Sequence, residues 1–289
     1  MSRWVDSPIV SFSRGGRAVE LGRSGEAPAL HLHGSTGLGL APVDIKSSER
    51  LSGDGSIVRG VRYGARDVYV PLLLSGTELS VTEARRDLTR LLAPHLGPVD
   101  VRIEDPVTGT DRMIRGYLRD GMEGDFGADF GRSWHRLGLT FECPDPWWLG
   151  PEQVVELRVN PGSKPFVSET VDFFPVMLAQ STVQGEFQVD ILGDGPVWPS
   201  WQVTGPGEDL TISNGQDVIE ISGQFDASSP VLIETGPGRI TPDRWADLSL
   251  RSRLFSLEPG RQTLTVTLVG ASTDTLVRLT YQERFLEGV

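Results

Sequence analysis

Two histidines and the single cysteine are the side chains in this chain with the most obvious chemical potential. His31 and His33 stand two residues apart, so on a strand they share one face and could bind the same metal ion. A zinc site needs three or four ligands, and no third ligand stands at a motif spacing. Cys143 follows an apolar pattern and precedes Pro144, which is typical of a small buried residue rather than of a histidine-paired thiolate. We therefore predict no metal site and no cysteine nucleophile.

Other catalytic patterns lack the residues that would complete them. The triplets 125–127 and 129–131 both read Asp-Phe-Gly, but the glycine-rich loop, strand lysine and catalytic loop of a kinase are absent. Paired acids such as Glu104 and Asp105 could hydrolyse glycosides, yet 39 acidic residues produce such pairs by chance. The sequence contains no nucleophile elbow, phosphate-binding loop or dinucleotide fingerprint. We predict a protein that is not an enzyme and needs no cofactor.

Aromatic residues are better candidates for contacts than for chemistry. Phe126 and Phe130 lie in the segment 123–131, which we expect to be a hairpin tip that presents both rings to a partner. Trp198 and Trp201 stand near a strand start, where their rings could stack on sugars. The alternative is that they pack a seam between domains, which is the commoner use of large amphipathic rings. These four residues are the candidate interaction residues.

Composition limits the class of partner. The formal charge is −12 and the only lysines are Lys46 and Lys164, so neither nucleic acid binding nor attachment to an anionic membrane is expected. One cysteine cannot form an internal disulfide. The N-terminal residues have no apolar signal-peptide core, and no apolar run is long enough for a membrane span. We expect a protein assembled in a cytoplasm.

Many short strands are expected to position these residues, because the chain has 34 glycines and 20 prolines. One helix is predicted over residues 81–93. Its signals are a capping box with Ser80 as N-cap and Glu83 three residues later, an apolar face, and a stop at Pro94 and Gly97. The composition changes near residue 150, beyond which only short β-runs occur. We therefore predict an N-terminal β-sandwich-like domain at 1–150 and a C-terminal β-sandwich at 151–289.

Three segments in this order resemble one family, the distal tail proteins (Dit) of long-tailed bacteriophages. The first is an Arg-x-Val-x-Val-Pro strand at residues 66–74, followed by the predicted helix. The second is an apolar strand that ends in Phe141-Glu142-Cys143-Pro144-Asp145-Pro146-Trp147-Trp148. The third is a strand start at residues 193–207, followed at a distance by the Leu-x-Pro-Gly turn at 257–260.

The resemblance implies a structural protein of the phage tail tip. Members of this family form a hexameric ring built by their N-terminal domains, with peripheral C-terminal domains that are galectin-like jelly-roll sandwiches. The implied partners are further copies of the chain, the tail tube protein, the tail-tip hub protein and the tape measure protein, with a host glycan or receptor-binding protein as an additional possibility. A carbohydrate-binding module for host-surface adsorption is the alternative reading, and a wall-degrading hydrolase is the third.

Overall fold

The computed structural model describes residues 8–22, 28–123, 130–159, 175–178 and 182–289. The described chain is mainly β-strand with one α-helix, α1 at Glu78–Leu92, so the predicted fold class is confirmed. Two compact units divide it: unit 1 comprises Met1–Gly150 and Phe285–Val289, and unit 2 comprises Pro151–Arg284. The strands are β1 Ile9–Arg14, β2 Arg17–Leu21, β3 Ala29–His31, β4 Val43–Glu49, β5 Ser56–Tyr63, β6 Arg66–Ser75, β7 Val99–Asp105, β8 Thr110–Asp120, β9 Phe130–Gly131, β10 Trp134–Cys143, β11 Trp148–Val159, β12 Pro175–Leu178, β13 Thr182–Ile191, β14 Ser200–Thr204, β15 Gly207–Ser213, β16 Val218–Phe225, β17 Val231–Glu234, β18 Arg239–Thr241, β19 Gly260–Val269 and β20 Leu276–Phe285.

Unit 1 is built on a sheet that curls back towards itself. Antiparallel pairing gives the order β2-β1-β7-β8-β10-β6-β3. The two ends meet where Gly22 and Leu30 form a parallel bridge, with the Gly22 N–H donating to the Ala29 carbonyl over 2.8 Å. Alternate residues of the strands point inwards, so a strand such as Val99–Asp105 buries Val99, Val101 and Ile103 and exposes the residues between them.

Helix α1 covers one side of this core. Val81, Leu88, Leu91 and Leu92 form its buried face, as the apolar spacing predicted. The helix begins at Glu78, three residues earlier than predicted, because Thr77 rather than Ser80 is the N-cap: the Ser80 N–H donates to the Thr77 hydroxyl over 3.2 Å. It ends at Leu92.

Arg14, on the neighbouring strand β1, donates hydrogen bonds to the backbone carbonyls at the C-terminal end of α1. Its guanidinium donates to the carbonyls of Arg90 and Ala93, each over 2.8 Å, and to that of Gly97 over 3.1 Å. These carbonyls lie at and just beyond the last turn of the helix, where the backbone acceptors have no intrahelical donor. The cation also complements the negative end of the helix dipole.

Unit 2 is a β-sandwich. One sheet has the order β13-β19-β15-β16, and the other contains β18-β17-β14-β20. Residues from both inner faces form one core, which includes Trp201, Phe187, Ile212, Val266 and Leu279. Trp201 is the largest side chain among them, and its ring meets Phe187 edge-on at 6.5 Å between centroids.

A buried arginine joins three separate segments of unit 1. Arg66 has only 2% of its surface exposed. One guanidinium nitrogen donates to the carbonyls of Gly37 (3.0 Å) and Gly39 (2.7 Å), and the other donates to that of Leu286 (3.0 Å). The same guanidinium lies 5.9 Å from the centroid of the buried Trp148 ring. We call this set of contacts the Arg66 staple.

The last residues of the chain fit closely into unit 1 beside the staple. The Gly288 N–H donates to the Leu38 carbonyl over 2.8 Å. A Cβ at Gly288 would lie 2.6 Å from the Trp148 ring, so only glycine allows the backbone to pass there without displacing the indole. Residues 285–289 therefore cover the part of the unit 1 core that Trp148 fills.

Replacing Arg66 with methionine should destabilise unit 1. Methionine keeps much of the packing volume but leaves three backbone carbonyls without their donor, which we expect to cost roughly 3 kcal/mol. Urea unfolding followed by amide hydrogen exchange in β6 measures this. The exposed Arg17, replaced by methionine, is the matched control and should have little effect. Equal stability of the two variants would show that the staple is dispensable.

Candidate interaction surfaces

Strands β4 and β5 form a two-stranded arm, residues 43–63, that pairs with no other strand among the described residues. Both strands are exposed along almost their whole length. The arm is closed at its root by the Gly64 N–H, which donates to the Pro42 carbonyl over 2.8 Å. Tyr63 packs edge-on against Trp147 at 5.6 Å, which fixes the root against the end of the stretch 141–148.

One face of the arm is apolar and uncovered. The register pairs Ile45 with Val61 and Ser47 with Val58, and Val43 lies on the same face as Ile45. The exposed fractions are 48% for Val43, 59% for Ile45, 57% for Val58 and 62% for Val61. Single exposed apolar residues are common, but four adjacent ones on a single face form a patch that indicates a binding surface.

The opposite face of the arm is mainly polar, with Ile57 as its exposed apolar residue among those described. Arg62 pairs with Asp44 over 2.9 Å, and the Arg59 Nε donates to the Ser48 hydroxyl over 2.9 Å. The arm carries four basic and three acidic side chains, whereas the whole chain has a formal charge of −12. The arm is therefore an amphipathic, slightly basic extension of an acidic protein.

The predicted aromatic contact residues have different environments. Phe126 lies outside the described residues. Phe130 is half-buried in β9, where its ring meets that of His135 edge-on at 5.0 Å. Trp198 is 47% exposed and packs against Gly236. Trp201 is 0% exposed in the unit 2 core. The prediction that it is an interaction residue is therefore wrong, because a ring enclosed by the sandwich cannot contact a sugar or a partner.

The two histidines do not form a metal centre in the described part of the chain. The His31 Nε2 lies 2.8 Å from the Ser35 hydroxyl, a local contact within one loop. Burial, and then the neighbouring His33, lower the pKa of His31. Among the residues that the structure describes, no three His, Cys, Asp or Glu side chains are grouped closely enough to hold a metal ion.

Cys143 lies in a closely packed position at the end of β10. A Cβ at Gly116 on the adjacent strand would come within 2.7 Å of its Sγ, so the sulfur fills the space that this glycine leaves. Burial raises the pKa of the thiol to about 12, and the Arg66 guanidinium offsets only part of that rise. The residue is therefore a packing element and a poor nucleophile at neutral pH.

The comparisons with known proteins agree with this architecture. Residues 192–285 match the family model of the siphovirus-type tail component, C-terminal domain. The solved Dit protein of phage SPP1 is 16% identical, with a TM-score of 0.59 over 88% of this chain and 93% of that chain. No curated protein sequence matches significantly.

Two further solved chains come from the phage P2 baseplate in its activated conformation. The calcium form gives a TM-score of 0.57 and the strontium form 0.56, each at 10% identity and over 96% of this chain and 98% of that chain. At such identities these similarities establish the fold alone, and the family model relates residues 192–285 to the C-terminal domain of the siphovirus-type tail component. The chain is thus a β-rich protein whose fold is similar to that of solved phage Dit and baseplate chains. This similarity, with the match of residues 192–285 to the tail-component model, agrees with the resemblance to distal tail proteins that the sequence motifs indicated.

The described residues contain no helix that is long and apolar enough to cross a membrane.

The surface that the sequence did not reveal is the arm. Alternation in residues 43–46 and 58–63 predicted two strands, but it did not show that they pair only with each other. A local signal was present in the first run, where Val43 and Ile45 alternate with Asp44 and Lys46, and the two runs flank the turn-forming segment 52–56.

Cys143 should resist thiol reagents in the native protein at about pH 8 and react rapidly once the chain is unfolded in guanidinium. Its pKa is raised from 9.0 to about 12 on folding, so its contribution to stability is complete below about pH 9. That contribution should be lost as the pH rises from about 9 towards 12, because only the unfolded thiol ionises there. Unfolding curves across this range, with Cys143→Ala as the control that lacks the slope, test it. Fast labelling of the folded protein would contradict the assignment.

Proposed function

We propose that this Dit-like protein is a subunit of a hexameric ring hub that joins the tail tube to the tail tip or baseplate, and that it acts without catalysis. Unit 1, which includes the last residues 285–289, builds the ring, and unit 2 forms a peripheral sandwich. The tail tube protein, the tail-tip hub protein and the tape measure protein are its neighbours in this arrangement. The protein is assembled in the host cytoplasm and is located in the virion, at the tail tip.

The observation that carries the proposal is the arm with its uncovered apolar face. An isolated two-stranded hairpin is at best marginally stable in water, so an arm of this kind gains stability by packing against another surface. A ring offers that surface without any additional protein. Each copy docks its arm on the next copy. Such head-to-tail contacts form a closed ring when the rotation from one copy to the next is a whole fraction of a full turn.

Charge supports contact between copies. The arm carries one more basic than acidic side chain, while the chain as a whole is strongly acidic. A second copy therefore attracts the arm although two whole chains repel each other at long range. This combination favours a directed contact through the arm over non-specific association.

Substituting aspartate for both Ile45 and Val61 should abolish the ring. Two charges in the middle of the apolar face remove roughly 3 kcal/mol per subunit contact, about two orders of magnitude in the association constant. Native mass spectrometry and negative-stain imaging should show six-fold rings for the natural chain and monomers for the variant.

A matched control alters the other face of the arm. Lys46→Ser with Gly60→Asp changes the net charge by the same amount, and a Cβ at Gly60 meets open space. This variant should still form rings. If the Ile45/Val61 variant still formed rings, the contact between copies would have to lie on another surface. A natural chain that stays monomeric and is absent from purified tail tips would refute the proposed hub.

Sugar binding by unit 2 is a second candidate function, which the exposed Trp198 favours. Binding of the full chain to a glycan array should be lost in Trp198→Ala, because an indole face supplies the stacking surface for a sugar ring. Trp245→Ala is the matched control, since Trp245 is similarly exposed at 46%. Absence of binding at millimolar sugar would exclude this candidate.

A further inference from the structure

A concave basic site lies on unit 1 between α1 and the start of β10. We call it the helix groove. Its cavity measures about 260 Å³. The described residues that line it are Arg85, Arg86, Thr89, Arg90, Met122, His135 and Leu137.

The groove exists because β8 separates from β10. The two strands pair only where Thr140, Phe141 and Glu142 face residues 117–120, and the register shifts within that short contact. Beyond it the chain turns at Gly121, where a Cβ would collide with the Gly138 carbonyl at 2.1 Å. On the edge opposite β6, β10 pairs with β9 only at Trp134 and His135, so residues 136–139 have no strand partner on that edge among the described residues.

The walls of the groove are cationic. Arg86 and Arg90 are one helical turn apart on α1, a spacing at which like charges destabilise a helix slightly. Arg86 is exposed and makes no ion pair with any residue that the structure describes. Arg90 meets Asp87 at 3.5 Å, but both side chains are about two-thirds exposed (69% and 66%), so that pair neutralises little. A bound anion would relieve the repulsion between the two arginines.

The floor of the groove is apolar and firmly held. Leu137 is buried, and His135 is 4% exposed beneath the Phe130 ring. Met122 supplies a flexible thioether that adapts to the shape of a ligand. Among the described residues, the Glu123 carboxylate accepts the Gly121 N–H over 2.9 and 3.0 Å and does not line the groove.

We propose that the helix groove is a docking site for an acidic segment of a partner protein, with carboxylates on the arginines and an aliphatic or aromatic side chain on the floor. Guanidinium groups bind carboxylates in a planar, bidentate geometry that fixes orientation. The small cavity fits one or two side chains rather than a nucleic acid backbone. The −12 charge of the chain also repels extended polyanions at long range.

The test is binding of a short fluorescent peptide, made of Asp, Glu and Phe, to the full-length protein. Arg86→Glu with Arg90→Glu should weaken binding by roughly ten-fold or more for each reversed charge. Raising the salt from about 0.05 to about 0.5 M should weaken it further, since the arginines are exposed. The same peptide with Asn and Gln in place of its acids should bind poorly.

The matched control is Arg17→Glu with Arg253→Glu, which changes the net charge equally at exposed sites outside both the groove and the arm. It should leave peptide affinity nearly unchanged. If both double variants lost peptide affinity equally, the net charge of the protein would explain the loss, and the proposal would be overturned.

Discussion

The Arg66 guanidinium is the contact on which the organisation of unit 1 depends. It is almost completely buried, and it donates to backbone carbonyls from two distant segments. Burial lowers its pKa, which expresses the cost of removing a cation from water. The carbonyls and the Trp148 ring offset that cost through hydrogen bonds and the quadrupole of the indole. The staple is therefore stable only when all three segments are in place.

The staple also fixes the arm, because Arg66 stands three residues beyond its end. Its guanidinium holds residues 37 and 39, which precede the arm, so both sides of the root are tied to the same buried cation. The Tyr63 ring adds a contact with Trp147 on the neighbouring stretch. A rigid root matters for docking: an arm held in one direction loses little conformational entropy when it binds.

The sequence predicted the features that depend on residues close to one another along the chain. The buried face of α1 and the alternation of β10 follow from local periodicity. The start of α1 was placed late because Thr77 and Ser80 both suit an N-cap, and only the backbone geometry decides between them. The arm, the staple and the burial of Trp201 depend on which distant segments meet, and one sequence contains no local signal for that.

The arm also shows why its apolar face, rather than its edges, is suited to assembly. Both edges of the hairpin present unpaired backbone groups, which normally invite indiscriminate strand addition. A register shift between Lys46 and Ser47 interrupts the regular ladder, and the charged residues Lys46 and Arg59 lie at it. These features discourage addition of another strand, whereas nothing among the described residues covers Ile45 and Val61 on the face. Association through that face uses side-chain packing, which is specific for shape, so the same small hairpin combines resistance to aggregation with a defined docking surface.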